Sequence, residues 1–466
     1  MSPRELPPVR GVPAEAVRAA LAGARQVAVL DDDPTGTQTV RDLPVLTRWT
    51  VEDIRWALRQ GRAGFFVLTN TRSLAPADAA ARDREVAEAC LAAAEQEGVP
   101  LAFASRSDST LRGHFPLETD VLGEVVARHG RAVDGVLLAP AYVDAGRVTI
   151  DGTHWLRTGE GLVPVAESEF ARDATFGYRS SRLAEWVEEK SGGRIPRGAV
   201  AEVTLEVIRT GATGALRERL DRAHDGQVVT LDADVDDDLR ASVLAILAAE
   251  ADGRSFLYRV GPSFVRARVG QDAHPPIDDA TLAQLVRRGT HGLVVAGSHV
   301  GLTSRQLAHL AGQRKFVTVE LDVPALLDGT RAEQHLRDAV TTATEALTDS
   351  LVVVQTSRTL VTGADEAHSL DIARRVSAAL TRVAGEIVAA RRPSYVVAKG
   401  GITSSDVATE SLGIDRAWIR GSLLPGIVSL WEPASGPAQG LPYVVFAGNV
   451  GDETSLADVI DRLENA

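Results

Sequence analysis

A single cysteine, Cys90, in a chain of 466 residues rules out an intramolecular disulfide and a four-cysteine zinc site within one chain. A reducing compartment fits that count. Lysine is almost missing as well. Lys190, Lys315 and Lys399 are the only three, so 47 of the 50 basic side chains are arginine and each lysine stands out. No stretch approaches the roughly 18 apolar residues that span a bilayer, and the opening MSPRELPPVRGVPAEAVRAAL lacks the apolar core of a signal peptide. The expected location is the cytoplasm. Also missing are a Gly-Lys pair, hence any Walker A segment, and the patterns Gly-x-Gly-x-x-Gly, His-Glu-x-x-His and Gly-x-Ser-x-Gly. A formal net charge of -13 argues against a sequence-independent grip on nucleic acid or an anionic membrane, both of which need clustered cations. Small molecules are the expected partners, and a homodimer is left open.

What is present is an ordinary globular composition, 44% hydrophobic and 24% charged, long enough for more than one core. Short β-branched runs alternate with helix-length segments, the pattern of an α/β fold with mainly parallel sheets. RQVAVL (25–30), AGFFVL (63–68), PLAFA (100–104), GVLLA (135–139) and QVVTL (227–231) make one set of strands, with helices expected over 75–97 and 116–129. GLVVA (292–296), KFVTV (315–319), LVVVQ (351–355), YVVA (395–398) and YVVFA (443–447) make a second, with helices near 303–311, 332–347 and 367–391. Between them, 259–280 lacks clear periodicity and carries Pro275-Pro276 before an acidic pair, which makes it the expected linker. Two α/β domains follow, 1–268 and 280–466.

Ligands of open parallel sheets bind beyond the carboxyl ends of the strands, so the residues after each strand decide the chemistry. In the first domain these are Asp31-Asp32-Asp33-Pro34-Thr35-Gly36, Thr69-Asn70-Thr71-Arg72-Ser73, Ser105 through His114, and Pro140 through Arg147. Arginine forks grip a carboxylate, and Asp, Asn, Ser and Thr bond hydroxyls, so the mixture suits a polyhydroxy acid. Any one such loop is as often an ordinary cap or turn; four together favour a site. His114 and His154 read as structural histidines, Lys190 and Lys315 as solvated surface. The second domain differs. Ala296-Gly297-Ser298-His299-Val300-Gly301, Lys399-Gly400-Gly401-Ile402-Thr403 and Ala447-Gly448-Asn449-Val450-Gly451 are glycine turns opening helices, where backbone N–H groups can approach phosphate oxygens. There Lys399 could bring an ammonium to a phosphate.

Together these loops resemble the four-carbon acid sugar kinase family. Asp32-Asp33-Pro34-Thr35-Gly36 is similar to its Asp-Asp-Leu-Thr-Gly, Asp108-Ser109-Thr110-Leu111-Arg112-Gly113 matches its Asp-Ser-Thr-Leu-Arg-Gly, and 140–147 resembles its Pro-Ala-x-x-x-Ala-Gly-Arg. The resemblance implies an N-terminal sugar-acid-binding domain, a C-terminal ATP-binding domain, and an active site in the cleft between them that closes around ATP and Mg2+. It marks Asp32, Asp33, Arg72, Asp108, Ser109, Thr110 and Arg112 as substrate contacts. Ser298, Lys399, Gly400, Gly401, Ile402, Thr403, Gly448 and Asn449 are marked as nucleotide contacts, and no protein metal site is implied. Asp33 is the expected base, with Asp108 its competitor. Pro34, Arg106 and Ile402 depart from the family pattern, and the departures at Pro34 and Ile402 also permit a catalytically silent sensor. A metal-dependent dehydratase built on Asp31 to Asp33 is a further alternative, against which the glycine loops argue.

Overall fold

The computed structural model describes residues 6–211, 213–287, 289–298, 300–357 and 366–466, so His299 of the first glycine loop lies outside the described residues. The chain divides after Ala273 into two compact units. Among the described residues no helix is long and apolar enough to cross a membrane.

Unit 1 contains β1 (Gln26–Asp31), β2 (Leu43–Leu46), β3 (Gly64–Leu68), β4 (Leu101–Arg106), β5 (Gly135–Ala139), β6 (Arg147–Ile150), β7 (Thr153–Thr158), β8 (Gly161–Pro164), β9 (Ala201–Val203), β10 (Gln227–Leu231) and β11 (Phe256–Val260). Its main sheet runs β2-β3-β1-β4-β11-β5-β10-β9, every neighbouring pair parallel. Apart from the half-buried edge strand β9 these strands are largely buried, and helices such as Pro76–Glu97 and Leu117–Arg128 supply apolar side chains to the same core, as expected of a sheet covered by its crossovers. Cys90 sits fully inside that core, where burial pushes its thiol pKa up. The strands β6, β7 and β8 form a separate antiparallel sheet.

Unit 2 contains β12 (Leu293–Ala296), β13 (Val317–Leu321), β14 (Val352–Thr356), β15 (Val396–Lys399), β16 (Arg416–Leu424), β17 (Ile427–Pro433) and β18 (Tyr443–Phe446). Their order is β13-β14-β12-β15-β18-β17-β16. The first five are parallel, and β17 joins β18 and β16 antiparallel.

All ten expected strands form. The expected linker 259–280 needs correction over its first half. Arg259 and Val260 end β11, a central strand, and the helix Pro262–Arg268 that follows is buried at every residue. A helix buried on all sides has no polar face, so its sequence shows no period. Its arginines are paired inside: Arg266 with Asp144 and Asp236, Arg268 with Glu250.

Candidate active site

Strands β3, β1 and β4 lie side by side, and the order reverses at β1: the chain moves outward to β2 and β3, then returns to place β4 on the other flank. Such a switch point leaves an opening at the carboxyl ends. Asp31 ends β1 in register with Leu68 and Arg106, so three polar loops leave from one place.

The carboxylates there are divided among arginines. Asp31 is fully buried and ion-paired with Arg106 Nη2, while its Oδ2 has no hydrogen-bond partner among the described residues. Burial raises its pKa to about 7, against the pull of Arg106. A Cβ at Gly36 would collide with Asp31 Oδ2 and the Arg106 guanidinium, so the turn needs glycine to pass over this pair. Arg106, one of the departures from the family pattern, thus has its partner in Asp31. Arg72 Nη2 lies 3.1 Å from Asp32 Oδ1 and 3.1 Å from Asp33 Oδ2. Asp33 caps the short turn begun by Pro34, its Oδ1 accepting from the Thr35 amide at 2.9 Å and from the Thr35 hydroxyl. Against the push of burial, Arg72, Arg106 and Thr35 hold Asp33 below the usual carboxylate range. Asp32 is pushed up by burial, which Arg72 and Arg106 only partly offset.

In the third loop Arg112 Nε donates to Asp108 Oδ2 at 2.6 Å, and Thr110 Oγ1 donates to the same atom. Against burial, Arg72, Arg112 and Thr110 keep Asp108 far below its ordinary value. The Arg112 guanidinium lies 5.1 Å from the Phe170 ring centre, with Asp173 at 3.5 Å. Leu111 takes φ +67°, a left-handed conformation that sharpens this turn. Exposure separates the roles: the side chains of Asp33 (26%), Arg112 (22%) and Arg72 (17%) reach the opening, whereas Asp32 (2%) does not. Ser109 and Thr110 are buried, Ser109 Oγ accepting from Arg147 Nη1 at 3.0 Å. His114 and His154 are buried and bonded to backbone carbonyls. Lys190 is not wholly solvated as expected; it is half-buried with Nζ 3.4 and 3.3 Å from the Phe176 and Gly177 carbonyls.

Unit 2 repeats the topology with other chemistry. Its switch point lies between β12 and β15, with Ala296 in register with Lys399 and Lys399 with Phe446. The three glycine loops leave there and touch. A Cβ on Gly448 would stand 2.5 Å from Ser298 Oγ, and one on Gly400, at φ +131°, would stand 2.9 Å from Thr403 Oγ1 and 3.2 Å from Ser298 Cβ. Thr303 Oγ1 donates to the Gly448 carbonyl at 3.0 Å, and Gln306 Nε2 to those of Val450 and Asp452 at 3.1 and 2.7 Å. The 448–452 loop is thus pinned from behind by Thr303 and Gln306. Gly401 opens the short helix Gly401–Asp406, Ile402 is 66% exposed, and Asn449 is exposed. Lys399 is fully buried: its Nζ donates to the Ala447 carbonyl at 2.6 Å and lies 3.6 Å from the Phe446 ring centre. Burial lowers its pKa to about 7. In this position it braces the Gly448 loop.

The known proteins that resemble the chain divide it in the same way. A sugar-binding N-terminal domain matches residues 27–268, and a nucleotide-binding C-terminal domain matches 293–456. The chain belongs to the four-carbon acid sugar kinase family. It is 27% identical over 412 residues to a D-threonate kinase of Salmonella typhimurium, covering 86% of this chain and 89% of that one. It is 28% identical over 278 residues to a D-erythronate kinase of Heliobacterium modesticaldum, covering 58% and 55%. The solved structure of a Salmonella typhimurium LT2 protein superposes with a TM-score of 0.68 at 18% identity, covering 94% of this chain and 98% of that chain, a likeness of fold. Kinase activity toward a sugar acid is thus the family's chemistry. Sequence reasoning about this family member missed several residues that shape the site, Asp83, Glu118, Asp173 and Arg259 among them. The visible signal was Arg259, a charge inside the otherwise apolar run FLYRV.

Proposed function

We propose that the chain transfers the γ-phosphoryl group of ATP to a hydroxyl of a four-carbon sugar acid such as threonate, erythronate or a 3-oxo relative. The observation that carries this reading is the partly open set Arg72, Arg112, Asp33 and Asp108 at one switch point: two guanidinium forks beside two carboxylates held ionised. Forks bind a carboxylate in two-pronged fashion, and ionised carboxylates accept from hydroxyls. Arg72 and Arg112 take the acid group, and Asp108 orients a hydroxyl. Asp33, the most open carboxylate of the four residues, receives the proton of the attacking hydroxyl. Its weak basicity is no obstacle, because phosphoryl transfer depends mostly on positioning and charge.

The unit 2 loops around Ser298, Gly400, Gly401, Thr403 and Gly448 suit the nucleotide, since backbones stripped of side chains can cradle phosphates. Lys399 supports them through the Ala447 carbonyl. Mg2+ arrives on the nucleotide phosphates with several of its waters, and neutralises phosphate charge there. Transfer requires the γ-phosphate to meet the hydroxyl in line, in a site closed to water.

The test is ADP release from MgATP against a panel of four- and five-carbon sugar acids, with Arg112→Ala beside the wild type. Turnover on one acid, lost in the variant, is the expected result. Silence across the panel despite ATP binding would overturn the reading in favour of a sensor.

A further inference from the structure

A second layer of buried charge lies beneath the Asp31 to Asp33 turn. Glu118 accepts from Ser105 Oγ at 2.8 Å and from Thr71 Oγ1 at 3.1 Å, linking the ends of β4 and β3. Arg259, reaching in from β11, stands 3.7 Å from Glu118 Oε2. It is 2% exposed, and its Nε and Nη1 have no hydrogen-bond partner among the described residues. Asp83 is equally buried, with Oδ2 unpartnered, and so is Asp32 Oδ2. Arg259 Nη2 and Asp32 Oδ2 press on the same face of Gly113, 2.9 and 3.2 Å from where a Cβ would stand. The groups facing Asp32 are therefore Arg72 and Arg106 from the loops above, Asp31 and Asp33 from its own turn, and Glu118, Arg259 and Asp83 from the elements below.

We propose that Glu118 and Arg259 are positioning residues for phosphoryl transfer: they set the charge on Asp32 and, through it, the aim of the Arg72 fork that Asp32 shares with Asp33. The inference rests on the kinase reading above. An ionised Asp32 anchors Arg72 from behind through Nη2, the atom it shares with Asp33, leaving the rest of the fork for the substrate. Protonating Asp32 releases that anchor. Glu118 repels the Asp32 charge and Arg259 attracts it, so neutralising one or the other must move the proton in opposite directions. A layer that only filled space would not distinguish the two.

The experiment is kcat/KM against pH for the wild type, Glu118→Gln, Arg259→Gln and Arg259→Lys. The acid limb is expected to move to lower pH by about one unit in Glu118→Gln and to higher pH by about one unit in Arg259→Gln. Arg259→Lys, which keeps the charge, returns the limb to the wild-type position. Limbs that coincide, or that move the same way while turnover falls, overturn the proposal. Should Arg259→Gln fail to fold, the movement of the limb in Glu118→Gln decides alone. The same displacement is read without turnover from the carbon-13 titration of the Asp32 carboxyl, assigned with Asp32→Asn. An inactive wild type then overturns the kinase reading, whereas Asp32 titrations that coincide overturn this one.

Discussion

Both units open a parallel sheet at a switch point, between β1 and β4 in one and between β12 and β15 in the other, and fill the opening with opposite chemistry. Unit 1 crowds it with Asp31, Asp32, Asp33 and Asp108, held by Arg72, Arg106 and Arg112. Unit 2 places glycines there instead: Gly297, Gly400 and Gly448 meet around Ser298 and Thr403, and Lys399 is turned to a backbone carbonyl. The lesson is about ligands of different shape. A small polyhydroxy acid must be matched group by group, and charged side chains do that. A nucleotide's phosphates can instead be held by backbone N–H groups, for which side chains are an obstruction.

The comparison breaks most readily at Arg72. Replacing it with alanine leaves Asp33 with Arg106, and Asp32 with Arg106 and the deeper Arg259, and removes one of the cations near Asp108. Breaking a largely buried pair costs about 3 kcal/mol, equivalent to roughly a hundredfold in kcat/KM. Steady-state kinetics should show that loss while calorimetry shows ATP affinity unchanged. A parallel fall in ATP affinity would show that the two sites are not separable.

A smaller effect separates the sites by acid. His154 is buried with Nδ1 2.9 Å from Thr149 Oγ1 and Nε2 2.8 Å from the Ser109 carbonyl, under the Asp108 loop. Burial, with the charge of Arg147, lowers its pKa from 6.5 to about 4. Because the folded value lies below the unfolded one, its stabilising contribution is complete above pH 6.5 and disappears as pH falls through 4. The loss reaches at most roughly 3 kcal/mol. Urea unfolding at a series of pH values should show that slope, flattened in His154→Gln; an unchanged slope would place the acid sensitivity elsewhere.

Much of this architecture is legible in sequence because buried parallel strands are written as unbroken apolar runs: FFVL, LVVA and VVVQ leave little else to fold into. Two of the sheet members that escape notice break that rule. β11 carries Arg259, and β16 carries Arg416 and Arg420. The site divides along the same line. Asp33, Arg72, Asp108 and Arg112 follow strands directly, so the topology alone brings them together. Asp83 and Glu118 come from the helices Pro76–Glu97 and Leu117–Arg128. Which turn of a helix faces a strand end depends on packing across the sheet, and no local pattern records it.

The comparison is sharpened by Gly448, where the smallest effect is expected. A methyl there would sit 2.5 Å from Ser298 Oγ, 3.2 Å from Ser298 Cβ and 3.6 Å from Thr303 Oγ1. Ser298 must move, and with it one wall of the proposed nucleotide cradle. Overpacking of this kind costs about 1 to 3 kcal/mol; if about half falls on the bound state, ATP affinity drops roughly tenfold. Calorimetric titration of Gly448→Ala should show that drop with sugar-acid affinity intact. The clash is with the Ser298 side chain, so adding Ser298→Gly should restore most of the loss. ATP bound as tightly by Gly448→Ala as by the wild type would mean that the three glycine loops meet for packing alone, and the nucleotide would have to be sought elsewhere in unit 2.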